Sequence, residues 1–265
     1  MQKKNKENKL VYFKYYQGIS EESKNVVKNT VKEFYNAVGC KTHFVNGYTF
    51  NIVNEYKDIN VSSPFTRRLK RFSDFYTKTM GATIAPELNK GKKEIVLQLK
   101  ERKFPRKIWK SNVEKKYIEC SILHEIGHNF DAYYGQQLDS EKEFDFDART
   151  DVICAKKFLL SNTPQFIEAV NKDSLIIERI KSRKKRMLKY SQNYLDNMLS
   201  DEAVEIQFNG INQSDNSRSE LFAQLFAYAF GKDDGNRDYS VAIYYNSYVL
   251  VKNYIKQYIG VNFNY

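Results

Sequence analysis

Apolar positions along this chain switch between two spacings, alternation or short runs and a helical period of about 3.6 residues. LVYFKYY (10–16) is aromatic and apolar and reads as a strand. Val27, Val31, Phe34 and Val38 then recur at helical spacing, with Ser20 placed to cap that helix and Gly39 to stop it. THFVNGYTFNIV (42–53) holds two β-type runs around Asn46-Gly47, the pattern of a hairpin. RRLKRFSDFYTKTM (67–80) reads as a helix, and EIVLQL (94–99) as a strand behind the polar run Asn-Lys-Gly-Lys-Lys. The expected order of this half is β-α-β-β-α-β.

The second half reads as mostly helical. Ser111 with Glu114 forms a capping box, and the helix it opens is expected to run to about Tyr134, with Gly135 as its stop. An acidic, aromatic loop follows, SEKEFDFDARTD (140–151). Thr163-Pro164 starts another helix, with proline in the first turn. Residues 174–200 are expected to form one or two more. Ser217 to Phe230 is an apolar helix ending at Gly231, and 240–260 reads as one amphipathic helix. No internal repeat interrupts the pattern. The expectation is one α+β unit, with an N-terminal part over about 9–135, a helical part over about 136–265, and an inserted segment near 174–210.

Within the Ser111 helix lies ILHEIGHNFDAYYG (122–135). His124 and His128 are four residues apart and share a helix face, so both imidazoles can reach one tetrahedral Zn²⁺. Glu125 is turned by about 100° from His124. It misses the metal but can reach a water on it, the geometry of a general base. Ile118, Ile122, Ile126 and Phe130 make an apolar stripe on the same helix, and Gly127 removes a side chain beside the site. The chain has only three histidines. A chance match to this spacing is expected about once per several hundred such chains. His43 reads as a strand residue without a metal role.

The third ligand decides the class. A metzincin pattern needs glycine and histidine where this chain has Asp131 and Tyr134. A Glu143-x-x-x-Asp147 pair lies in a stretch that reads as loop. Glu220, in SRSELFAQLFAYAFG, is a lone carboxylate at the start of an almost wholly apolar helix. Burying such a charge is costly without a partner, and zinc would be one. Ser217-x-x-Glu220 also fits a capping box.

HEIGHNFDAYYG and ELFAQLFAYAF together resemble the catalytic domain of anthrax lethal factor-type metallopeptidases, a gluzincin group that includes the Pro-Pro endopeptidases. The correspondence covers His124, Glu125, Gly127, His128 and Asp131, then Glu220, Phe222, Ala223 and Phe226. TPQFIEAV (163–170) resembles the segment between those motifs. The resemblance implies a zincin-like fold and a Zn²⁺ endopeptidase. His124, His128 and Glu220 would be the ligands, Glu125 the base, and Asp131 the partner of a ligand histidine. It also implies an edge strand holding extended substrate, placed on Glu94, Val96 and Gln98. Two departures stand out. The span between His128 and Glu220 is longer than the family usually shows. The oxyanion-stabilising tyrosine, seven residues before the ligand glutamate, is replaced by Gln213. Tyr190, Tyr194 or Tyr239 would have to supply that hydroxyl, or the role is vacant and the protein is a binding module.

Composition changes this picture little. Net charge is +11, with Lys/Arg clustered at 66–71, 99–107 and 180–189. Such clusters suit nucleic acid or another anionic surface, but no finger spacing, aromatic RNA-binding strand or basic zipper accompanies them. Mean hydropathy is −0.65, and no run reaches the roughly 18 apolar residues of a spanning helix. No secretory leader is legible at the N-terminus. Cys40, Cys120 and Cys154, widely spaced and odd in number, read as buried free thiols.

Overall fold

The computed structural model describes residues 11–39, 41–73, 81–83, 89–99, 110–138, 159–184, 215–234 and 237–263. In order these contain β1 (Val11–Tyr15), α1 (Glu21–Val38), β2 (Tyr48–Val53), α2 (Pro64–Arg71), β3 (Gly81–Thr83), β4 (Glu94–Gln98), α3 (Lys110–Leu138), α4 (Pro164–Lys184), α5 (Asp215–Ala229), α6 (Arg237–Ile243) and α7 (Tyr245–Ile259). The fold is α+β, mostly helical, with one small mixed sheet. Among the described residues no helix is long and apolar enough to cross a membrane.

The sheet order is β1-β2-β4-β3. β1, β2 and β4 run parallel, and β3 lies antiparallel to β4. A parallel pair needs a crossover. α1 supplies it between β1 and β2, capped by Ser20 and closed by Gly39 as expected. The hairpin expected at Asn46-Gly47 does not form. Residues 43–47 are a turn in which Val45 and Asn46 donate their N–H groups to the Thr42 carbonyl. Gly47 takes a positive φ of 79° and releases the chain into β2. Phe44 and Val45 are buried from within that turn, so their apolar character reflects the core and not a strand. His43 is exposed in the same turn. The order observed is therefore β-α-β-α-β-β.

β4 is an inner strand, not the edge. It lies between β2 and β3, and Glu94, Val96 and Gln98 are all buried. The polar two serve the fold: Glu94 accepts from Ser62 Oγ and Asn89 Nδ2, and Gln98 Oε1 accepts from Tyr56 N. They cannot be the strand that holds substrate. The edge next to β4 is β3.

One sheet face packs Phe50, Ile52, Ile95 and Leu97 against α1 and α3. The opposite face buries Val53 and Val96 with Phe65 and Leu69 of α2. In the helical half, α3 begins one residue before the expected Ser111 cap and runs past Gly135 to Leu138. α4 starts at Pro164, as expected, but continues unbroken through 174 to Lys184. The tail is two helices, broken at Tyr244. The buried Asp173 carboxylate takes the N–H groups of Asn246 and Ser247, satisfying donors that the start of α7 leaves open.

α3 packs most extensively on α5. Gly127 is the reason the two come close. A Cβ there would lie 2.9 Å from the Ala223 Cα and 3.0 Å from Phe226 Cβ. Gly127→Ala should lower stability by about 1 kcal/mol, because overpacking of roughly 1–3 kcal/mol exceeds the ~1 kcal/mol gain in helix propensity. Urea unfolding checks this; a variant more stable than wild type would show that the crossing has slack.

Candidate metal centre

His124 and His128 lie on successive turns of α3, and Glu220 lies in the second turn of α5. His124 Nε2 is 3.1 Å from Glu220 Oε2, and His128 Nε2 is 3.5 Å from Glu220 Oε1. The two Nε2 atoms are 3.1 Å apart. One donor atom from each residue falls within a 4.8 Å set, a group that could hold a metal ion. Glu220 is less buried than the apolar sequence around it suggests, with its side chain 54% exposed. Its carboxylate faces the two histidines rather than capping its own helix, which begins earlier, at Asp215.

The other ring nitrogens are occupied as well. His124 Nδ1 is 3.0 Å from Gln224 Oε1. Gln224 Nε2 donates to Asp234 Oδ2 at 3.1 Å, which fixes the amide with its oxygen toward the ring. An amide oxygen only accepts, so His124 Nδ1 carries the hydrogen. Tyr228 OH also donates to Asp234. His128 Nδ1 is 3.2 Å from Ser219 Oγ, and Ser219 Oγ is 3.0 Å from Asp131 Oδ2. Asp131 thus reaches His128 through Ser219, not directly. It also accepts from Ser161 N and Ser161 Oγ, at 2.8 and 2.7 Å.

Electrostatics follow from this crowding. Burial acts to lower the His128 pKa, but the Glu220 carboxylate outweighs it and pushes it up to about 9. Burial acts to raise that of Glu220, yet the imidazoles hold it well below the usual carboxylate range. Burial raises Asp131 to about 6 against its three hydrogen bonds. Glu125 is buried and raised, chiefly by desolvation, and its Oε2 has no hydrogen-bond partner among the described residues. Burial also raises the Cys120 thiol, consistent with a free, inert cysteine. Cys40 and Cys154 lie outside the described residues.

β3 meets the site at Gly81. A Cβ there would lie 2.4 Å from Glu125 Oε1 and 2.7 Å from its Cγ, so the carboxylate occupies the space a side chain would need. Asn129, one turn on from Glu125, ties the arrangement together. Its Oδ1 accepts from Tyr48 OH at 2.9 Å and Thr83 Oγ1 at 3.3 Å, and its Nδ2 donates to the Glu125 carbonyl.

Sequence reading placed His124, Glu125, His128, Asp131 and Glu220 near one another, and the structure brings them together. It missed Ser219, Gln224, Asp234 and Gly81. Gln224 had a signal, being one helical turn after Glu220 on the same face. Asp234 had none, because only the chain turn after α5 brings it there. Glu143, Asp147, Tyr190, Tyr194 and Gln213 lie outside the described residues. Tyr239 is in α6, with its side chain outside them.

The Gly81–Glu125 contact is testable without any assay of function. Gly81→Ala should destabilise the protein, and the penalty should shrink in a Glu125→Ala background, with a coupling of about 1 kcal/mol or more in a double-mutant cycle. Additive effects would show that the two positions do not share the space.

Two comparisons with known proteins found no relative: no protein-family model matches the chain, and no curated protein matches it either.

Proposed function

We propose that the protein is a Zn²⁺-dependent endopeptidase of the zincin-like, gluzincin type, with His124, His128 and Glu220 as ligands and Glu125 as general base. One observation carries this reading. With each Nδ1 engaged, both Nε2 atoms and a carboxylate converge on one point, a set that needs positive charge among its members: a proton on His128 in the metal-free chain, whose place zinc would take. The donor set, two imidazoles and a carboxylate, suits zinc. Its spacing does too. Tetrahedral ligands at about 2.0–2.1 Å leave neighbouring donor atoms about 3.3 Å apart, against 3.1, 3.1 and 3.5 Å here.

Zinc, when bound, supplies a Lewis acid that polarises the scissile carbonyl and acidifies a water molecule. The chain's own residues do the rest. Glu125 takes a proton from the attacking water and hands it to the departing amine. Its buried setting raises its pKa toward the range in which a carboxylate accepts and returns a proton efficiently. Gly81 leaves room for that carboxylate, and Asn129 holds the backbone behind it. β3 pairs with β4 on one side only among the described residues. An extended peptide adding to its other edge would be held by main-chain hydrogen bonds beside the base. This moves the substrate strand from Glu94–Gln98 to Gly81–Thr83.

Zinc content and cleavage of a peptide library together test the reading. Wild type should hold one zinc per chain and cleave peptides, and lose cleavage when the metal is chelated. Glu125→Gln should keep the zinc while cleavage falls by roughly 10²–10⁴. His124→Ala and Glu220→Ala should lose the metal. Equal cleavage by wild type and Glu125→Gln removes Glu125 as base. Undiminished zinc in Glu220→Ala would point back to Glu143 or another third ligand. Zinc held by wild type with no peptide cleaved would favour the binding-module reading, and salt-sensitive duplex binding would point to the basic clusters instead.

A further inference from the structure

We propose that Ser219 is a positioning residue for His128, the hydroxyl through which Asp131 orients that imidazole; the proposal rests on the metal-site reading above. A hydroxyl has one hydrogen and two lone pairs. Asp131 is fully buried between α3, α5 and the turn at Leu160–Asn162. It draws three donors: Ser161 N on Oδ1, then Ser161 Oγ and Ser219 Oγ on Oδ2. The single Ser219 hydrogen is therefore committed to Asp131. What Ser219 offers His128 Nδ1, 3.2 Å away, is a lone pair.

The consequence is directional. Nδ1 must carry a hydrogen to bond with Ser219, and in the neutral ring this leaves the Nε2 lone pair facing the point where the Glu220 carboxylate and His124 Nε2 converge. Ser219 precedes Glu220 in the chain, so one turn of α5 carries both the third ligand and the support of the second. His124 has its own tether through Gln224 and Asp234, built from different residues. The two histidines are thus oriented independently, and removing Ser219 should disturb His128 alone. Supports of this kind are worth about 10–100-fold in metal affinity.

The test uses the full chain, metal-free and zinc-loaded. With three histidines, and His43 exposed as an internal reference, ring ¹⁵N–¹H signals can be assigned by single substitutions. In metal-free wild type the His128 Nδ1 proton should be retained against exchange with water. In Ser219→Ala it should exchange at least about tenfold faster while the His124 Nδ1 proton is unchanged, and zinc should bind about 10–100-fold more weakly. Ser219→Thr, which keeps the hydroxyl, should restore both readouts; its near-isostere Ser219→Val should not. That pair decides the question if the alanine variant does not fold. Unchanged His128 exchange and unchanged zinc affinity in Ser219→Ala, or equal behaviour of the threonine and valine variants, would overturn the proposal. If wild type binds no zinc the metal reading fails, and the ring-proton readout still decides the role of Ser219.

Discussion

The close crossing of α3 and α5 is the constraint on which the rest of the structure depends. Gly127 lies against the backbone of Ala223, with no room for a side chain between them. On one side of that contact His124 and His128 face Glu220 across the helix pair. On the other, Phe130 packs on Phe222 and Phe226 within the main core. Two helices held this tightly leave little freedom for the three donor atoms. A wider crossing would separate the two histidines from Glu220. The glycine is thus a packing requirement with a chemical result, beyond the missing side chain that its place in the motif suggests.

Around the crossing, polar groups are paired with unusual economy. Each imidazole is tied at Nδ1, one through Ser219 to Asp131 and the other through Gln224 to Asp234. Both chains end in carboxylates, and both carboxylates also serve the fold. Asp131 anchors the turn at Ser161, and Asp234 receives Tyr228 OH. Buried polar groups are expensive when unpaired, so networks like these also specify the packing around them. Glu125 is the exception. Its Oε2 is buried without a partner among the described residues, a cost that fits the proposed role of this carboxylate as a base.

How much of this could be read from sequence varied with the range of the interaction. α1 was legible to the residue, because its cap, apolar spacing and terminal glycine are local signals. The histidine pair was legible for the same reason, as i and i+4 positions on one helix. Glu220 was legible as a carboxylate out of place in an apolar run, although it is half exposed and its partner, not its burial, explains it. Strand order was not legible. Asn46-Gly47 carries a strong local hairpin signal, but Phe44 and Val45 gain more by entering the core from a turn, and β2 then pairs in parallel on both sides. The inner place of β4 follows from that pairing and from the short β3, whose three residues carry too little pattern to announce a strand. Asp234 and Ser161 reach the site only through tertiary packing.

A single reading joins these parts: two imidazoles oriented from behind, a carboxylate brought by a second helix, a buried base under a glycine, and an edge strand beside it. Each part has an ordinary structural explanation alone, and their coincidence at one point is what the proposed zinc centre would explain. The most direct measurement is anomalous scattering at the zinc absorption edge from crystals grown with the metal. The account predicts one strong peak within about 2.0–2.2 Å of His124 Nε2, His128 Nε2 and a Glu220 oxygen. A crystal that takes up zinc elsewhere, with no peak among these three side chains, would contradict it.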